Sequence, residues 1–228
     1  MRTFRLSAAR LIVASLRGFF ESTEAAAAVR KFLTREHSNS RLLPVPQTLG
    51  LVLLALLWHF RPDERVCIVT VGGSGIGASL IKRILQSYPL ARAQLPELRM
   101  IVVAGPRIDA RSLDVPMGVE VRAFVPDLDR HLAACDIALV QGGLTTCMEL
   151  TAAGTPFIYF PLKNHFEQTF HVAHRLDRYG AGRRMDFASS TPDTIAAAIA
   201  SVLKVPSSFM RVEADGAARA ARMLADLI

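Results

Sequence analysis

The sequence has few of the residues that hold small secreted or metal-stabilised proteins together. Only three of its 228 residues are cysteines, and Cys67, Cys135 and Cys147 form no C-x-x-C pair. A disulfide framework and a structural zinc site are therefore not expected, and a reducing compartment fits this composition. Aromatic residues make up only 7% of the chain, with a single tryptophan, which argues against a nucleic-acid binder that stacks bases.

Negative charge is scarce in the first quarter of the chain. Residues 1–61 hold nine Lys/Arg against three Glu, a net charge of +6, whereas residues 62–228 carry only +1. Two interpretations stay open for this basic segment: a contact with an anionic membrane surface, or a solvated Arg-rich stretch. The chain is 51% hydrophobic, which excludes a disordered protein and allows a sizeable core.

The basic segment 1–61 also contains two apolar stretches. Residues 1–20 show helical spacing with four arginines and no acid, which is typical of an interfacial helix and also of a transit peptide. A helix at residues 47–60 would be about 21 Å long, shorter than the roughly 30 Å of a bilayer core. We therefore expect a buried or membrane-surface helix there, and a domain boundary that separates 1–61 from 62–228.

From residue 65 the pattern alternates between strands and helices. Continuous apolar runs predict strands at Val66–Val71, Met100–Ala104, Val119–Phe124, Ile137–Val140 and Phe157–Phe160. Helices are predicted at Ala78–Ser87, Leu128–Ala134, Thr145–Ala153, Glu167–Tyr179, Pro192–Leu203 and Arg211–Leu227. This alternation predicts an α/β fold with a doubly wound, Rossmann-like parallel sheet, whose ligand lies at the carboxyl ends of the strands.

A glycine-rich loop follows the first strand and reads V-T-V-G-G-S-G-I-G, with Gly72, Gly73, Ser74 and Gly75 at its centre. Such a loop lets backbone N–H groups approach a phosphate. It also resembles the cofactor loop of short-chain NAD(P) oxidoreductases, and a matching Y-x-x-x-K pair exists at Tyr159 and Lys163. This alternative requires the pair on one helix, which Pro161 between them forbids.

The loop after the fourth strand carries a second and more specific pattern. Gln141, Gly142 and Gly143 lead into a helix whose first N–H groups, at Leu144, Thr145 and Thr146, have no partner within the helix. A pyrophosphate is stabilised at such a helix end. Glu149 follows one turn later, where its carboxylate could accept both hydroxyls of a ribose.

Two further segments are expected at the same edge of the sheet. Lys163–Gln168 follows the fifth strand, and there Glu167 and Gln168 offer donors and acceptors for sugar hydroxyls. Phe124 and Val125 end the third strand, where backbone atoms could contact a base.

With these motifs together, the sequence resembles the C-terminal, donor-binding half of GT-B glycosyltransferases, and in particular the MurG-like, family 28 type UDP-sugar transferases. The resemblance runs from about Pro62 to Leu203 and rests on V-G-G-S-G, C-D-I-A-L-V-Q-G-G-L-T-T, G-T-P-F-I-Y-F-P-L and H-F-E-Q. It implies an inverting transferase that takes UDP-N-acetylglucosamine, and it implies a role for each candidate residue. Because the expected pyrophosphate site is built from helix-terminal N–H groups, no metal or cofactor is expected. The pyrophosphate would lie at Gly142–Thr146, the ribose at Glu149, the uracil at Phe124 and Val125, and the sugar at Glu167 and Gln168, with Gly72–Gly75 lining the cleft.

The chain departs from this family in two ways. Gln141 stands where many relatives have His or Ser, and residues 1–61 are too few to form the acceptor-binding domain that supplies the catalytic base. Catalytic residues therefore stay unassigned, with His165 only a weak candidate. Three interpretations are open: a chain that pairs with a separate acceptor-binding subunit, a truncated or frameshifted enzyme, or a nucleotide-sugar binder without turnover. From the cysteine usage and the basic segment 1–61 we expect a cytoplasmic protein, with peripheral contact at the inner face of the plasma membrane through that segment.

Overall fold

The computed structural model describes residues 63–73, 75–205, 207–210, 212–213 and 215–227. The predictions made for residues 1–61, and the predicted role of Ser74, lie outside these described residues. The chain divides into two units, and the second, Arg65–Ile228, carries the strands and helices described below. The predicted division into 1–61 and 62–228 stays a prediction.

The second unit is built on one six-stranded sheet, and every pairing in it is parallel. The strands are β1 (Arg65–Thr70), β2 (Leu98–Val103), β3 (Val119–Arg122), β4 (Ile137–Val140), β5 (Phe157–Tyr159) and β6 (Arg183–Arg184). Their order across the sheet is β3-β2-β1-β4-β5-β6. The predicted doubly wound fold is confirmed, because the chain winds outward from β1 in one direction and from β4 in the other.

Six α-helices connect and cover these strands in the described part of the chain. They are α1 (Ala78–Gln94), α2 (Leu128–Ala134), α3 (Leu144–Ala153), α4 (Ala173–Tyr179), α5 (Pro192–Lys204) and α6 (Gly216–Ala225). A short 3₁₀ turn lies at Ala110–Ser112, and a π-helix at Glu167–Val172 runs directly into α4. Right-handed crossovers put α1 and α5 together on one face, where they contact each other, and α2, α3 and α4 on the other.

The core follows from the apolar strands that the sequence predicted. Residues 66–69 of β1 and all four residues of β4 are buried, as expected for strands covered on both faces. On one face α1 contributes Ile81, Ile84 and Leu85, and α5 contributes Ile195 and Ile199, all of them at most 1% exposed. This packing fixes β1 and β4 side by side, with Thr70 paired to Val140 at their carboxyl ends.

Three predicted helices differ from the observed elements by more than two residues, whereas the other predicted elements agree to within two residues at each end. Helix α1 runs to Gln94 instead of Ser87, because Tyr88 and Ala91 continue its buried face past Pro89. The segment predicted as one helix, Glu167–Tyr179, is a π-helix followed by α4. The last helix begins at Gly216 instead of Arg211.

Candidate functional site

The candidate site lies where the two halves of the sheet diverge. Strands β1 and β4 are neighbours, yet the connections that follow them lead to opposite sides of the sheet. In parallel α/β sheets, such a switch point opens a crevice at the carboxyl ends of the two strands. The two glycine-rich loops predicted from the sequence are the segments that leave β1 and β4 at this edge.

The glycines of the loop after β1 have two different roles. Gly72 and Gly73 are exposed at its tip, as a ligand-lining role requires. At Gly77 a larger residue is excluded by packing, because a β-carbon there would lie 2.2 Å from the Val71 side chain. The close approach of α1 to β1 thus explains the last glycine of the motif without any ligand.

The loop after β4 is held tightly against β5. Gly142 has a φ of 95°, and a β-carbon on it would lie 3.4 Å from both the Tyr159 ring and the Pro161 α-carbon. Gly143 follows as the residue that caps α3, with no side-chain hydrogen bond at the cap. Gln141, in which the sequence departs from the family, is only 8% exposed at the end of β4.

The first turn of α3 presents backbone donors to the crevice. Cys147 N–H is the first to bond back within the helix, to Gly143 O at 3.1 Å. Within the described residues, no partner is recorded for the N–H groups of Leu144, Thr145 and Thr146. These three donors and the positive end of the helix lie at the carboxyl end of β4, as the predicted pyrophosphate site requires.

Glu149 is exposed on the same face of α3 as Thr145 and Thr146, since residues three and four apart are neighbours on a helix. Partial burial, and next the negative charge of Asp129, raise the pKa of the Glu149 carboxyl. Asp129 lies in the first turn of α2, which packs beside α3. The sequence did not single out Asp129, because its proximity to Glu149 depends on how these two helices pack.

The remaining predicted residues follow the neighbouring strands at the same edge. Phe124 and Val125 lie just beyond the end of β3 at Arg122 instead of ending the strand as predicted, with Phe124 73% exposed and Val125 buried. Glu167 and Gln168 begin the π-helix that follows β5. Glu167 is exposed, whereas Gln168 is buried and its Oε1 accepts a 2.9 Å hydrogen bond from Leu162 N–H. His165 is exposed in the turn between β5 and the π-helix.

The described structure does not support the oxidoreductase alternative for the site. Tyr159 lies buried in β5, and this burial raises the pKa of its phenol to about 12. Lys163 lies beyond Pro161 in an exposed turn, so the pair lacks the activated tyrosine that an oxidoreductase of the short-chain type needs.

In the described part of the chain, no group of three or more His, Cys, Asp or Glu side chains is arranged to hold a metal ion. Nor does any described helix have the length and apolar character needed to cross a membrane.

Comparison with known proteins identifies the family. The sequence profile of the glycosyltransferase family 28 C-terminal domain matches residues 66–227, more than half of the chain. The chain belongs to glycosyltransferase family 28. The match begins in β1 and ends beyond α6, so that both glycine loops and the π-helix lie within the family 28 domain.

Two curated relatives allow the length of this chain to be compared with that of longer glycosyltransferases. The UDP-N-acetylglucosamine--N-acetylmuramyl-(pentapeptide) pyrophosphoryl-undecaprenol N-acetylglucosamine transferase of Acidiphilium cryptum is 30% identical, over 80% of this chain and 52% of its own length. An uncharacterised glycosyltransferase of Methanosarcina acetivorans is 28% identical, over 67% of this chain and 39% of its own length. The chain thus spans about half the length, or less, of these relatives.

Solved structures agree with this assignment and with the GT-B fold. The glycotransferase of kitacinnamycin is 28% identical with a TM-score of 0.52, over 63% of this chain and 35% of its own. The spinosyn rhamnosyltransferase SpnG, solved with thymidine diphosphate, is 26% identical with a TM-score of 0.51, over 63% and 38% of the two chains. The predicted resemblance to the donor half of GT-B glycosyltransferases is therefore confirmed.

Proposed function

We propose that this chain binds UDP-N-acetylglucosamine at the β1/β4 crevice and serves as the donor half of an inverting glycosyltransferase. The observation that carries the proposal is the first turn of α3. Its unpartnered N–H groups lie at the switch point of the sheet, directly after Gly142 and Gly143, with Glu149 on the same helix face. This arrangement offers donors for an anion and, one helical turn away, an acceptor for ribose hydroxyls.

The proposed placement of the ligand uses the residues predicted from the sequence. The pyrophosphate takes the N–H groups of Leu144, Thr145 and Thr146, and the ribose hydroxyls donate to Glu149. The uracil lies against the Phe124–Val125 backbone, and the sugar reaches towards Glu167 and Gln168. The choice of UDP-N-acetylglucosamine is supported by the resemblance and by the name of the Acidiphilium cryptum relative, which is 30% identical.

In this placement the chain stabilises the leaving group. As the bond between the anomeric carbon and the UDP oxygen breaks, negative charge develops on the pyrophosphate. The N–H groups at the start of α3 are already oriented toward that charge, so they stabilise the transition state more than the ground state. Inversion further requires a base on the acceptor hydroxyl, and the weak candidate for this role, His165, is exposed in the turn before the π-helix.

The acceptor and its base are therefore proposed to come from another domain or subunit. Four large apolar side chains are exposed in segments that follow β1, β3 and β5: Ile76, Phe124, Phe166 and Phe170, each at least 62% exposed. They lie on the carboxyl side of the sheet, where the crevice opens. A protein surface that closes over this side would bury them and complete the active site.

A metal-independent site is part of the proposal. Backbone N–H groups and a helix end neutralise the pyrophosphate in place of a divalent cation. The sequence does contain a D-x-D at Asp127-Leu128-Asp129, in which Asp127 pairs with Arg130 at 3.8 Å. Among the described residues, this stretch is not part of any group of three or more His, Cys, Asp or Glu that could hold a metal ion.

Calorimetry with UDP and with UDP-N-acetylglucosamine, each with and without EDTA, tests the proposal. We expect both ligands to bind equally well in EDTA, and NADH not to bind. An absolute need for Mg²⁺ or Mn²⁺ would contradict the metal-free site, and tighter binding of NADH than of UDP would contradict the assignment to nucleotide sugars.

We also propose a cytoplasmic location with peripheral contact at the inner face of the plasma membrane. The support is the net charge of +6 on residues 1–61, since anionic lipids attract such segments. Pelleting of the full chain with phosphatidylserine vesicles, at low and high salt, tests this contact. Binding that is unaffected by salt, or no binding at low salt, would contradict an electrostatic association.

A further inference from the structure

The segments proposed to hold the pyrophosphate carry no positively charged side chain of their own. The glycine loops at residues 71–77 and 141–143 contain no Lys or Arg, and neither does α3. The one charged residue of α3 is Glu149, which repels an anion. The N-terminus of a helix supplies only about half a positive charge, whereas the pyrophosphate of a nucleotide sugar is a dianion. A cation from a neighbouring segment would complete the neutralisation of this ligand.

The segment after β2 packs directly on the glycine loop after β1. Gly105 has a φ of 83°, and a β-carbon on it would lie 2.7 Å from the Gly72 carbonyl oxygen. Pro106 follows, with its Cδ 4.0 Å from the position that a β-carbon of Gly73 would occupy. These contacts hold the chain after β2 against the tip of the glycine loop, at the carboxyl edge of the sheet.

Arg107 is the next residue, and it lies beside the same loop. Its Cβ is 3.4 Å from the position that a β-carbon of Gly75 would occupy, and the residue is exposed. Ile108 follows and packs into the hydrophobic core with 8% exposure. The backbone of Arg107 is therefore fixed between the glycine loop and the core, while its side chain is accessible to a ligand.

The carboxylate closest to Arg107 in the sequence is already engaged. Asp109 accepts a 3.0 Å hydrogen bond from the Arg111 backbone N–H and two more, at 3.2 and 3.3 Å, from the Arg111 guanidinium. Within the residues that the structure describes, no ion pair is recorded for Arg107. Its charge is thus available to an anion from solution.

We propose that Arg107 binds the β-phosphate of the nucleotide and supplies the positive charge that the first turn of α3 lacks. This inference rests on the proposed function. Neighbouring strands are about 4.8 Å apart, so a pyrophosphate at the end of β4 faces the glycine loop after β1. With the ribose at Glu149, the α-phosphate comes first along the ligand and the β-phosphate reaches furthest toward that loop. A guanidinium also matches the oxygens of a phosphate in a bidentate geometry.

Calorimetry with UDP and with UMP tests this role, because only UDP has a β-phosphate. We expect Arg107→Met to bind UDP about tenfold more weakly and UMP within about threefold of the unaltered chain. Arg107→Lys, which keeps the charge, should lose less affinity for UDP than Arg107→Met does. Lys82→Met is the matched control, since Lys82 is an exposed cation of α1, the helix that follows the same glycine loop. Its loss of one charge should leave the affinity for both nucleotides within about threefold.

The dependence on salt separates a charge contact from a structural effect. The difference in UDP affinity between the unaltered chain and Arg107→Met should narrow at high salt, since an exposed ionic contact is screened. A difference that salt does not change would overturn the inference, as would equal losses for UDP and UMP, or equal losses in the Met and Lys variants. Unchanged UDP binding by an Arg107→Met chain with an unaltered circular dichroism spectrum would contradict this inference alone. Failure of the unaltered chain to bind UDP would contradict the proposed function and this inference with it.

Discussion

The Asp136 carboxylate accepts a 2.8 Å hydrogen bond from the backbone N–H of Val66, and so joins the start of β4 to β1 at the edge opposite the crevice. The same carboxylate accepts a 3.2 Å bond from Arg65, and its side chain is only 5% exposed. In return, Asp136 N–H donates to Val66 O at 2.8 Å. Strands β1 and β4 form the switch point, so Asp136 holds together the two strands that the candidate site requires.

Replacing Asp136 should therefore cost stability. Asp136→Ala leaves the Val66 N–H buried without its carboxylate partner, a loss of about 1–3 kcal/mol in the free energy of unfolding. Asp136→Asn keeps one acceptor oxygen and should lose less. Arg65→Ala should cost under about 1 kcal/mol, since the Arg65 side chain is 40% exposed. Urea unfolding followed by circular dichroism measures all three, and equal stability of the Ala and Asn variants would contradict this account.

Gly142 and Gly143 form a matched pair for testing the loop after β4. Gly142→Ala places a methyl group at a φ of 95° and against Tyr159 and Pro161, which should cost about 1–3 kcal/mol of stability and weaken UDP binding. Gly143 has a φ of −65° and open space around it, so Gly143→Ala should fold as stably as the unaltered chain. Thermal unfolding of both variants tests this, and equal losses of stability would argue against it, while UDP calorimetry on Gly142→Ala tests the expected loss of binding.

Glu149→Ala removes the proposed ribose acceptor. We expect UDP affinity to fall by roughly 10- to 150-fold, the equivalent of about 1.5–3 kcal/mol for hydrogen bonds to a charged group. Glu167→Ala serves as the control, since it should weaken UDP-N-acetylglucosamine without affecting UDP. Calorimetry with both ligands measures the difference. UDP binding of unchanged affinity by a folded Glu149→Ala protein would reject the ribose assignment.

The raised pKa of Glu149 gives a separate, pH-dependent prediction. A carboxyl whose pKa is higher in the folded than in the unfolded chain favours folding at low pH, and this contribution is lost as the pH rises through the raised pKa. Partial burial and the charge of Asp129 cause the shift, so Asp129→Asn should lower the Glu149 pKa. Asp127→Asn on the same turn should leave it unchanged. NMR titration of the Glu149 carboxyl carbon measures both, and equal pKa values in the two variants would contradict a role for Asp129.

Apolar periodicity in the sequence was sufficient to predict most of the sheet. Strand Ile137–Val140 and helix Leu128–Ala134 were predicted with their observed bounds, because continuous buried runs and a short helix between turns leave little ambiguity. Strand β6 was not predicted, since Arg183 and Arg184 form an exposed edge of two residues with no apolar pattern.

What the sequence could not reveal depends on contacts between distant segments. The apolar pattern does not distinguish the π-helix at Glu167–Val172 from an α-helix. The hydrogen bond from Leu162 N–H to Gln168 could therefore not be predicted from the sequence. The position of Asp129 beside Glu149 likewise requires the packing of α2 on α3. The sequence was sufficient to find the motif residues. Only the structure shows which of them are exposed, such as Glu167, and which are buried, such as Gln168.

The last prediction is that the purified chain alone will not transfer sugar at a normal enzyme's rate, even when it binds UDP-N-acetylglucosamine. Inverting transfer needs an acceptor held in line with the anomeric carbon and a base on its hydroxyl, and base catalysis alone contributes about 10²–10⁴-fold. The chain spans 52% of the length of its Acidiphilium cryptum relative, and the proposed site supplies only leaving-group stabilisation. Slow hydrolysis of the donor is therefore the most that we expect. A radiolabelled UDP-N-acetylglucosamine assay with lipid-linked and free acceptors tests this, with His165→Ala as the control. Turnover near 1 s⁻¹ or faster, within the usual enzyme range, would contradict the prediction, and its loss in His165→Ala would identify His165 as the missing base.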